Sequence, residues 1–588
     1  MLREIGLYLD MQGVAFKPRA YEKAAEAVAS LTEEAGDIYS RGGLRALEEI
    51  PGVGASIAEK IEELLTTGTC AEHVALRKKT PVNLSELSRV EGLGPKKIKT
   101  LYQKLRVKDL ADLEAAAKKG AIAKLEGFGK KSEENIKKSL EFAKHAGDRV
   151  MLGLAMPEIR MYEARLRKLP AVARLVVAGS VRRRKETIGD VDLLAVSKKP
   201  QQVMDAFVAM PEVVSVHAKG ETKSAVKVVS GLNIDLRVVP ESSYGAALNY
   251  FTGSKDHNVA LRQIAMNKGL KLNEYGLWKG KKQVAGKTEE ELYKALGMHY
   301  IEPELREHTG EIKAALRPIQ DIQGRPEEFE GRQAQGKRPG LPTLIGYKDL
   351  RGDLQVQTDW TDGKGSIEAM ARAAREAGLE YIAITDHSKR LAMTHGLDEK
   401  RIIQQMAEIA RVNKRLQGSG LRFRVLSGSE CDILKDGALD LPDNILAKLD
   451  VVGASVHSYF NLPKAEQTKR IMRAMDNPHV DIIFHPTGRI IGKRPPYEVD
   501  IPALITHAKN TGTILEIDAL PDRLDLKDDY IRMAIKGGVK LAIDSDAHAP
   551  SHFSVLEYGI AQARRGWAEK KDIINAWPLE KMKGFLKK

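Results

Sequence analysis

Six apolar runs after Asp349 limit the fold more than any other feature of the chain. They are EYIAITDHS (380–388), FRVLSGSECDI (423–433), LDVVGASVHS (449–458), VDIIFHP (480–486), TGTILEIDA (511–519) and VKLAIDSDAH (539–548). Each has the length and branched apolar content of a strand buried on both faces, and each ends in polar or ionisable residues. Amphipathic helical segments lie between them. Repeated strand–helix units with His, Asp and Glu at the same strand end predict a parallel barrel whose site lies on its C-terminal face.

The rest of the 588 residues needs other cores, since domains run to roughly 100–200 residues. The first 145 read as short helices, with Ile57, Ile61, Leu64 and Leu65 at helical spacing. An apolar residue, a G-x-G turn and a helix start recur in IPGVGASIAEKI (50–61), VEGLGPKKIKTL (90–101) and LEGFGKKSEENI (125–136). From Ala171, the runs ARLVVAGS (173–180), VDLLAVS (191–197), SAVKVVS (224–230) and NIDLRVV (233–239) predict a mixed sheet with helices packed on it. Residues 261–317 read as helix and turn. The stretch 319–346, rich in Gly, Pro and charge, reads as a linker.

A net charge of +14 draws the chain to polyanions, because phosphate binding releases condensed counterions. Ten basic residues stand between Arg77 and Lys108, against only Glu86 and Glu91. No run of about 18 apolar residues predicts a transmembrane helix, and the charged start Met1–Asp10 is unlike a secretory signal. Two distant cysteines, Cys70 and Cys431, argue against a disulfide framework and for a reducing cytoplasm, with association with the nucleoid expected where the polyanion is DNA.

The sharpest motif is GSVRRRKETIGDVD, Gly179 to Asp192. Glycine at a strand end lets backbone approach a phosphate, and Arg182 to Lys185 add positive charge. Asp190 and Asp192, two apart on a strand, point to one face. With Asp235 from NIDLRVV they form an oxygen donor set for Mg²⁺ or Mn²⁺, two of which would activate a primer 3′-oxygen and stabilise leaving pyrophosphate.

This stretch resembles the nucleotidyltransferase palm of DNA polymerase family X, the family of DNA polymerase beta, and YFTGSKDHNVALR (250–262) extends the likeness. The resemblance implies that Arg149, Ser180 and Arg183 hold the triphosphate, with Gly179 and Gly189 beside them. It places Tyr250, Phe251 and Gly253 around the sugar, and Asn258 and Arg262 on the nascent pair or the template. NEYGLW (273–278) resembles a thumb segment. The three G-x-G turns look like helix–hairpin–helix motifs, which offer backbone N–H groups to a phosphate whatever the sequence. Gly52, Gly54, Gly92, Gly94, Lys96, Lys97, Gly127 and Gly129 would hold DNA there, with a monovalent cation at the hairpin carbonyls. Lys60 matches the position of a Schiff-base nucleophile that removes 5′-deoxyribose phosphate in some members. A phosphate contact is the alternative role.

The C-terminal part resembles the polymerase and histidinol phosphatase domain of bacterial family X polymerases, through GDLQVQTDWTDG (352–363), TDHS (385–388), SGSECDI (427–433), SVHS (455–458), FHPTGR (484–489), EID (516–518) and SDAH (545–548). The resemblance implies that Glu430, His457 and His485 serve one Mn²⁺ or Zn²⁺, and Asp362, His387 and His548 another. A third would need Gln355, Gln357 and Asp546. The family has His where this chain has the two glutamines, and a carboxamide is the weaker ligand for a transition metal. A 3′–5′ exonuclease here is therefore expected to be weak, altered in metal preference or lost.

The expected architecture is multidomain. A small helical DNA-end-binding domain (1–85) and a helix–hairpin–helix fingers-like domain (86–148) precede an α+β nucleotidyltransferase palm (149–260) and a thumb-like subdomain (261–318). A linker (319–348) leads to a distorted α/β barrel (349–588). The expected function is gap-filling DNA synthesis in base excision repair, on gapped or primer-template DNA with deoxynucleoside triphosphates, by a monomer without membrane contact. Two rivals share some of these features. A DNA-binding scaffold would not need Asp190, Asp192 and Asp235, and a nucleotidyltransferase for RNA ends or small molecules would not need the hairpins or Tyr250-Phe251.

Overall fold

The computed structural model describes residues 1–29, 35–50, 52–88, 90, 93–130, 132–134, 136–137, 140, 149–316, 340–418 and 422–587. They form two units, Met1–Asp148 with Ile490–Pro496, and Arg149–Arg489 with Tyr497–Lys588.

In the helical unit three hairpins are built alike. Val53 N–H donates to the Ile50 carbonyl at 2.9 Å, Leu93 to Val90 at 3.1 Å and Phe128 to Leu125 at 3.0 Å. The donor residues Val53, Leu93 and Phe128 are all buried in one core, so the sequence repeat is a repeated buried turn. Gly52 and Gly127 adopt φ of +85° and +83°, which glycine takes without steric cost. Helices Ala55–Thr67 and Pro95–Leu105 start directly after Gly54 and Gly94, and neither start has a side-chain cap. Gly92 lies outside the described residues. Ile57 and Ile61 are buried as their spacing predicts, but Leu65 is 41% exposed.

The second unit holds two sheets that matter for function. The palm sheet comprises β1 (Arg174–Val177), β2 (Asp190–Val196), β3 (Val213–Lys219), β4 (Lys223–Val228) and β5 (Asn233–Val239), in the order β1-β2-β5-β4-β3. Only β2 and β5 run parallel. The run ARLVVAGS ends as a strand at Val177. Gly179, at φ +61°, turns the chain into the short helix Gly179–Arg182. Sequence reading missed β3, an edge strand whose residues are almost all exposed and carry no apolar alternation.

Residues 261–317 are not confined to helix and turn. A three-stranded antiparallel sheet, Lys271–Asn273, Gly276–Lys279 and Lys282–Ala285, lies among them. The Asn273 side chain accepts hydrogen bonds from Tyr275 N–H (3.0 Å) and Gly276 N–H (3.1 Å), and this local turn chemistry overrides the helical spacing. The end of the expected linker is also ordered: Leu341 and Ile345 are buried, and Leu344 bridges to Glu569.

The barrel strands are β6 (Gly352–Val356), β7 (Tyr381–Ile384), β8 (Arg424–Asp432), β9 (Val451–Ser455), β10 (Ile482–Ile483), β11 (Ile514–Asp518) and β12 (Leu541–Asp544), all parallel and in sequence order. Leu354 N–H donates to the Asp544 side chain, and Val356 bridges to Ala547, so the sheet nearly closes. Alternate residues serve two cores. Tyr381 and Ala383 pack inside the barrel with Phe484 and Trp577, while Ile382 and Ile384 pack against the outer helices. Strands buried on both faces explain why these runs are continuously apolar.

Ion pairs join palm to barrel within this unit. Arg160 holds Glu557 through two bonds of 2.6 and 2.7 Å, and Arg489 holds Glu186 at 2.8 Å.

Candidate functional site

The palm site starts from strand register. On parallel β2 and β5, Asp192 lies opposite Asp235, with Asp190 two residues earlier on the same face. Burial pushes the Asp192 carboxyl up to about 7, with further lift from Asp190 and Asp235. Lys223 stands 3.3 Å from Asp235. The Gly179 turn lies directly on Asp192, since a Cβ there would fall 2.2 Å from its Oδ2. Next to it the Ser180 hydroxyl is buried without a hydrogen-bond partner. Three clustered carboxylates beside an unsatisfied hydroxyl fit a hard divalent ion and a phosphate oxygen.

The other expected nucleotide residues gather on the same side. Arg183 donates to the Thr252 carbonyl and pairs with Glu307 at 3.0 Å, and its Nη1 would lie 3.0 Å from a Cβ at Gly253. Tyr250 and Phe251 meet edge-on at 5.1 Å, and the Arg237 guanidinium covers the Phe251 ring at 4.5 Å. Asn258 donates to the Tyr250 carbonyl (2.7 Å), and Arg262 to the Asn258 carbonyl (3.3 Å). Arg149 donates to the Thr187 side chain and carbonyl (3.0 and 2.6 Å) and lies against Gly189.

The four cations after Ser180 do not act as one patch. Arg182 is bound to Glu289 and Arg183 to Glu307, and Arg184 lies over the Tyr347 ring and 3.7 Å from Glu557. Among the described residues no carboxylate lies within 4.0 Å of the Lys185 ammonium.

In the barrel, Glu430 at the end of β8 is the hub. Its Oε1 lies 3.0 Å from His457 Nε2 and 2.9 Å from His485 Nε2, and its Oε2 lies 3.3 Å from His387 Nδ1. Burial would push Glu430 up, but His387 and His457 outweigh it and hold it well below the usual carboxylate range. The reverse holds for His457: burial pushes it down, and Glu430 and Asp432 lift it to about 9. Among the described residues two groups bring three ligand atoms within 4.8 Å of one another. They are Asp362, His387 and His548, and His387, Glu430 and His457. The first group is one of the expected ligand sets; the second holds His387 where the expectation had His485, which instead lies against Glu430 Oε1.

The third set suits a transition metal poorly, because its glutamines offer only carboxamide donors and a guanidinium stands beside Asp546. Both amide atoms of Gln355 are buried without partners, as is Gln357 Oε1, while Gln357 Nε2 donates to Glu430 at 2.8 Å. The Arg523 guanidinium, absent from the sequence-based expectation, stands 3.3 Å from Asp518 and 3.7 Å from Asp546. A fixed cation is already present beside the carboxylate that a third ion would use.

In the helical unit Lys60 pairs with Glu72 at 3.1 Å and donates to the Ser56 carbonyl at 2.9 Å. These contacts occupy the amine that a Schiff-base nucleophile would have to offer. Lys96 and Lys97 stand in the first turn of the helix that starts after Gly94.

Comparison with known proteins places the whole arrangement. Over its full length the chain is 36% identical to the DNA polymerase/3′-5′ exonuclease PolX of Bacillus subtilis (strain 168), covering 98% of that protein. The chain belongs to the bacterial family X DNA polymerases. Family models match as a DNA polymerase beta thumb over residues 247–307, a helix-hairpin-helix domain over 1–70, a SAM-like helix-hairpin-helix tandem over 84–141 and a PHP domain over 353–497. DNA polymerase lambda of Rattus norvegicus is 26% identical over 51% of the chain and 54% of that protein. A probable phosphatase of Thermoanaerobacter sp. (strain X514) is 30% identical over 38% of the chain and 88% of that protein. The thumb match covers the segment whose small sheet the apolar spacing did not predict. Among the described residues no helix is long and apolar enough to cross a membrane.

Proposed function

We propose that this family X member is a DNA-directed DNA polymerase that fills short gaps, with Asp190, Asp192 and Asp235 as its catalytic carboxylates. The observation that carries the reading is the Asp192–Asp235 register on adjacent parallel strands, under the Gly179 turn and the unsatisfied Ser180 hydroxyl. Asp190, Asp192 and Asp235 would hold Mg²⁺ or Mn²⁺, which would supply Lewis acidity toward the primer 3′-oxygen and the leaving pyrophosphate. The chain's own residues do the positioning. Ser180, Arg183 and Arg149 orient the triphosphate, and Tyr250, Phe251 and Gly253 bound the sugar. Asn258 and Arg262 face the nascent pair, and the hairpins around Gly52, Gly54, Gly94, Gly127 and Gly129, with Lys96 and Lys97, hold DNA by its backbone. The division of labour proposed is that of the expected segments, 1–148 for DNA, 149–318 for synthesis and 349–588 for a second phosphoesterase site.

Primer extension on a one-nucleotide gapped duplex, with Mg²⁺ and Mn²⁺ separately, tests the polymerase. Wild type is expected to extend and Asp190→Ala to fail. Absence of extension by wild type under either metal would refute the reading. The cluster of Glu430 with three histidines favours a second activity, Mn²⁺- or Zn²⁺-dependent cleavage of a phosphodiester at a DNA 3′ end. Primer shortening that survives Asp190→Ala and is lost in His548→Ala is the expected signature.

A further inference from the structure

A cavity of about 440 Å³ opens where the palm meets the barrel, and its walls are strongly basic. The palm contributes Arg149, Arg183 and Lys185, and the barrel contributes Lys527 and Arg565. Only Glu186 and Asp528 oppose these five cations, which leaves 5 − 2 = +3 on the lining.

Ion pairing between the two parts accounts for some of this charge. Arg565 bonds Asp528 at 2.5 Å and Glu307 at 3.1 Å, and Glu186 is taken by Arg489. Among the described residues Arg149 and Lys185 are the lining cations left without a carboxylate within 4.0 Å. Lys185 has no close carboxylate, and burial together with the Arg565 charge pushes its pKa down. The partner found for Lys527 is its own neighbour Asp529, at 3.2 Å on the surface. Lys527 keeps its charge, because Asp529, and then Asp528 and Glu186, lift it against burial. An anion is the class of ligand that this basic lining fits.

The pocket's position says which anion. Its wall includes Thr187 and Arg149, which adjoin Gly189 and so Asp190, and Arg183, whose charge is felt by Asp192. The barrel also fixes Arg183 directly. Arg565 donates to the Arg183 carbonyl at 2.9 Å and shares Glu307 with its guanidinium. We infer that the barrel completes the polyphosphate subsite of the palm, with Lys527 binding the pyrophosphate moiety of the incoming nucleotide and of the released product, and Arg565 acting as a positioning residue for Arg183. The inference rests on the polymerase reading of Asp190, Asp192 and Asp235. It gives the barrel a part in synthesis that is independent of its own metal ligands.

The test uses the full chain and two variants, Lys527→Gln and Lys185→Gln, with unchanged melting as the check on folding. Steady-state gap filling reads KM for the nucleotide, and inhibition by added inorganic pyrophosphate reads Ki for the product. Each variant is expected to raise both constants about five- to tenfold, with kcat and gapped-DNA affinity within about twofold; tenfold corresponds to about 1.4 kcal/mol. A rise in Ki alone keeps the pocket and assigns it to released pyrophosphate. Both constants unchanged in well-folded variants overturn the inference while leaving the polymerase intact. If wild type does not extend at all, the polymerase reading falls, and calorimetric titration with inorganic pyrophosphate decides the pocket: binding weakened by Lys527→Gln keeps an anion site, and no binding removes it.

Discussion

Glu289→Gln removes one charge and almost no volume from a fully packed ion cluster. Glu289 accepts from Arg182 at 2.9 and 2.6 Å and from Arg306 at 2.6 Å, and Tyr300 donates to it at 3.2 Å. The Arg306 side chain is wholly buried and that of Glu289 only 4% exposed. Burial alone would push the Glu289 carboxyl up, but Arg306 and then Arg182 hold it down at about 2. Without the carboxylate two buried guanidiniums face each other uncompensated, a loss of about 3–5 kcal/mol. The effect should reach the site, because Arg182 also donates to the Thr252 hydroxyl (2.7 Å) and the Thr252 carbonyl takes Arg183. The expected result is lower thermal stability by calorimetry at pH 7 and a higher KM for nucleotide than wild type. Because the folded pKa is depressed below 4.5, the contribution of Glu289 is present above pH 4.5 and lost as pH falls toward 2. The gap between wild type and variant should therefore close over that window. A gap under about 1 kcal/mol at pH 7, or one that widens on acidification, refutes the argument.

Three further expectations follow from buried charge and from pairing. Gln355→His with Gln357→His should not raise bound manganese by plasma mass spectrometry while Arg523 stays beside Asp518 and Asp546; adding Arg523→Met should raise it by about one ion per chain, and a rise without that change would show that the guanidinium is no obstacle. Borohydride trapping on DNA with a 5′-deoxyribose phosphate should be weak in wild type, where Glu72 holds Lys60. Trapping should rise several-fold in Glu72→Gln and vanish in Lys60→Ala, whereas an adduct that persists without Lys60 places the nucleophile elsewhere. Burial pushes Asp481, which accepts from the Val452 and Lys587 N–H groups, up to about 7. Its stabilising contribution is thus full below pH 3.8 and lost as pH rises through 7, so Asp481→Asn should gain on wild type by up to about 4 kcal/mol between pH 4 and 8; a pH-independent difference counts against it.

What the residues disclosed in advance follows one physical rule. Interactions set by local periodicity were legible. Asp190 and Asp192 share a face because strands alternate, and Glu430 meets His457 and His485 because parallel strands put their C-terminal ends at one rim; that His387 joins them too was not foreseen. Even the three hairpins were visible as a recurring turn. The small sheet within 271–285 was not, because the Asn273 turn outweighs apolar spacing there. Nor were the long-range partners of charge. Arg183 is fixed by an arginine 382 positions away, and Arg489 reaches Glu186 across 303. Neither carries any pattern that links it to its partner. The Arg182–Lys185 run shows what this omission changes. As sequence it is four equivalent cations beside a phosphate site. In the fold Arg182 neutralises Glu289, Arg183 is tied to Glu307, and Arg184 lies over Tyr347. The charge left unpaired is that of Lys185, and it faces a pocket whose other wall belongs to the barrel. The electrostatics of nucleotide binding are therefore a property of palm and barrel together, which is why an isolated palm is expected to bind nucleotide more weakly than the full chain.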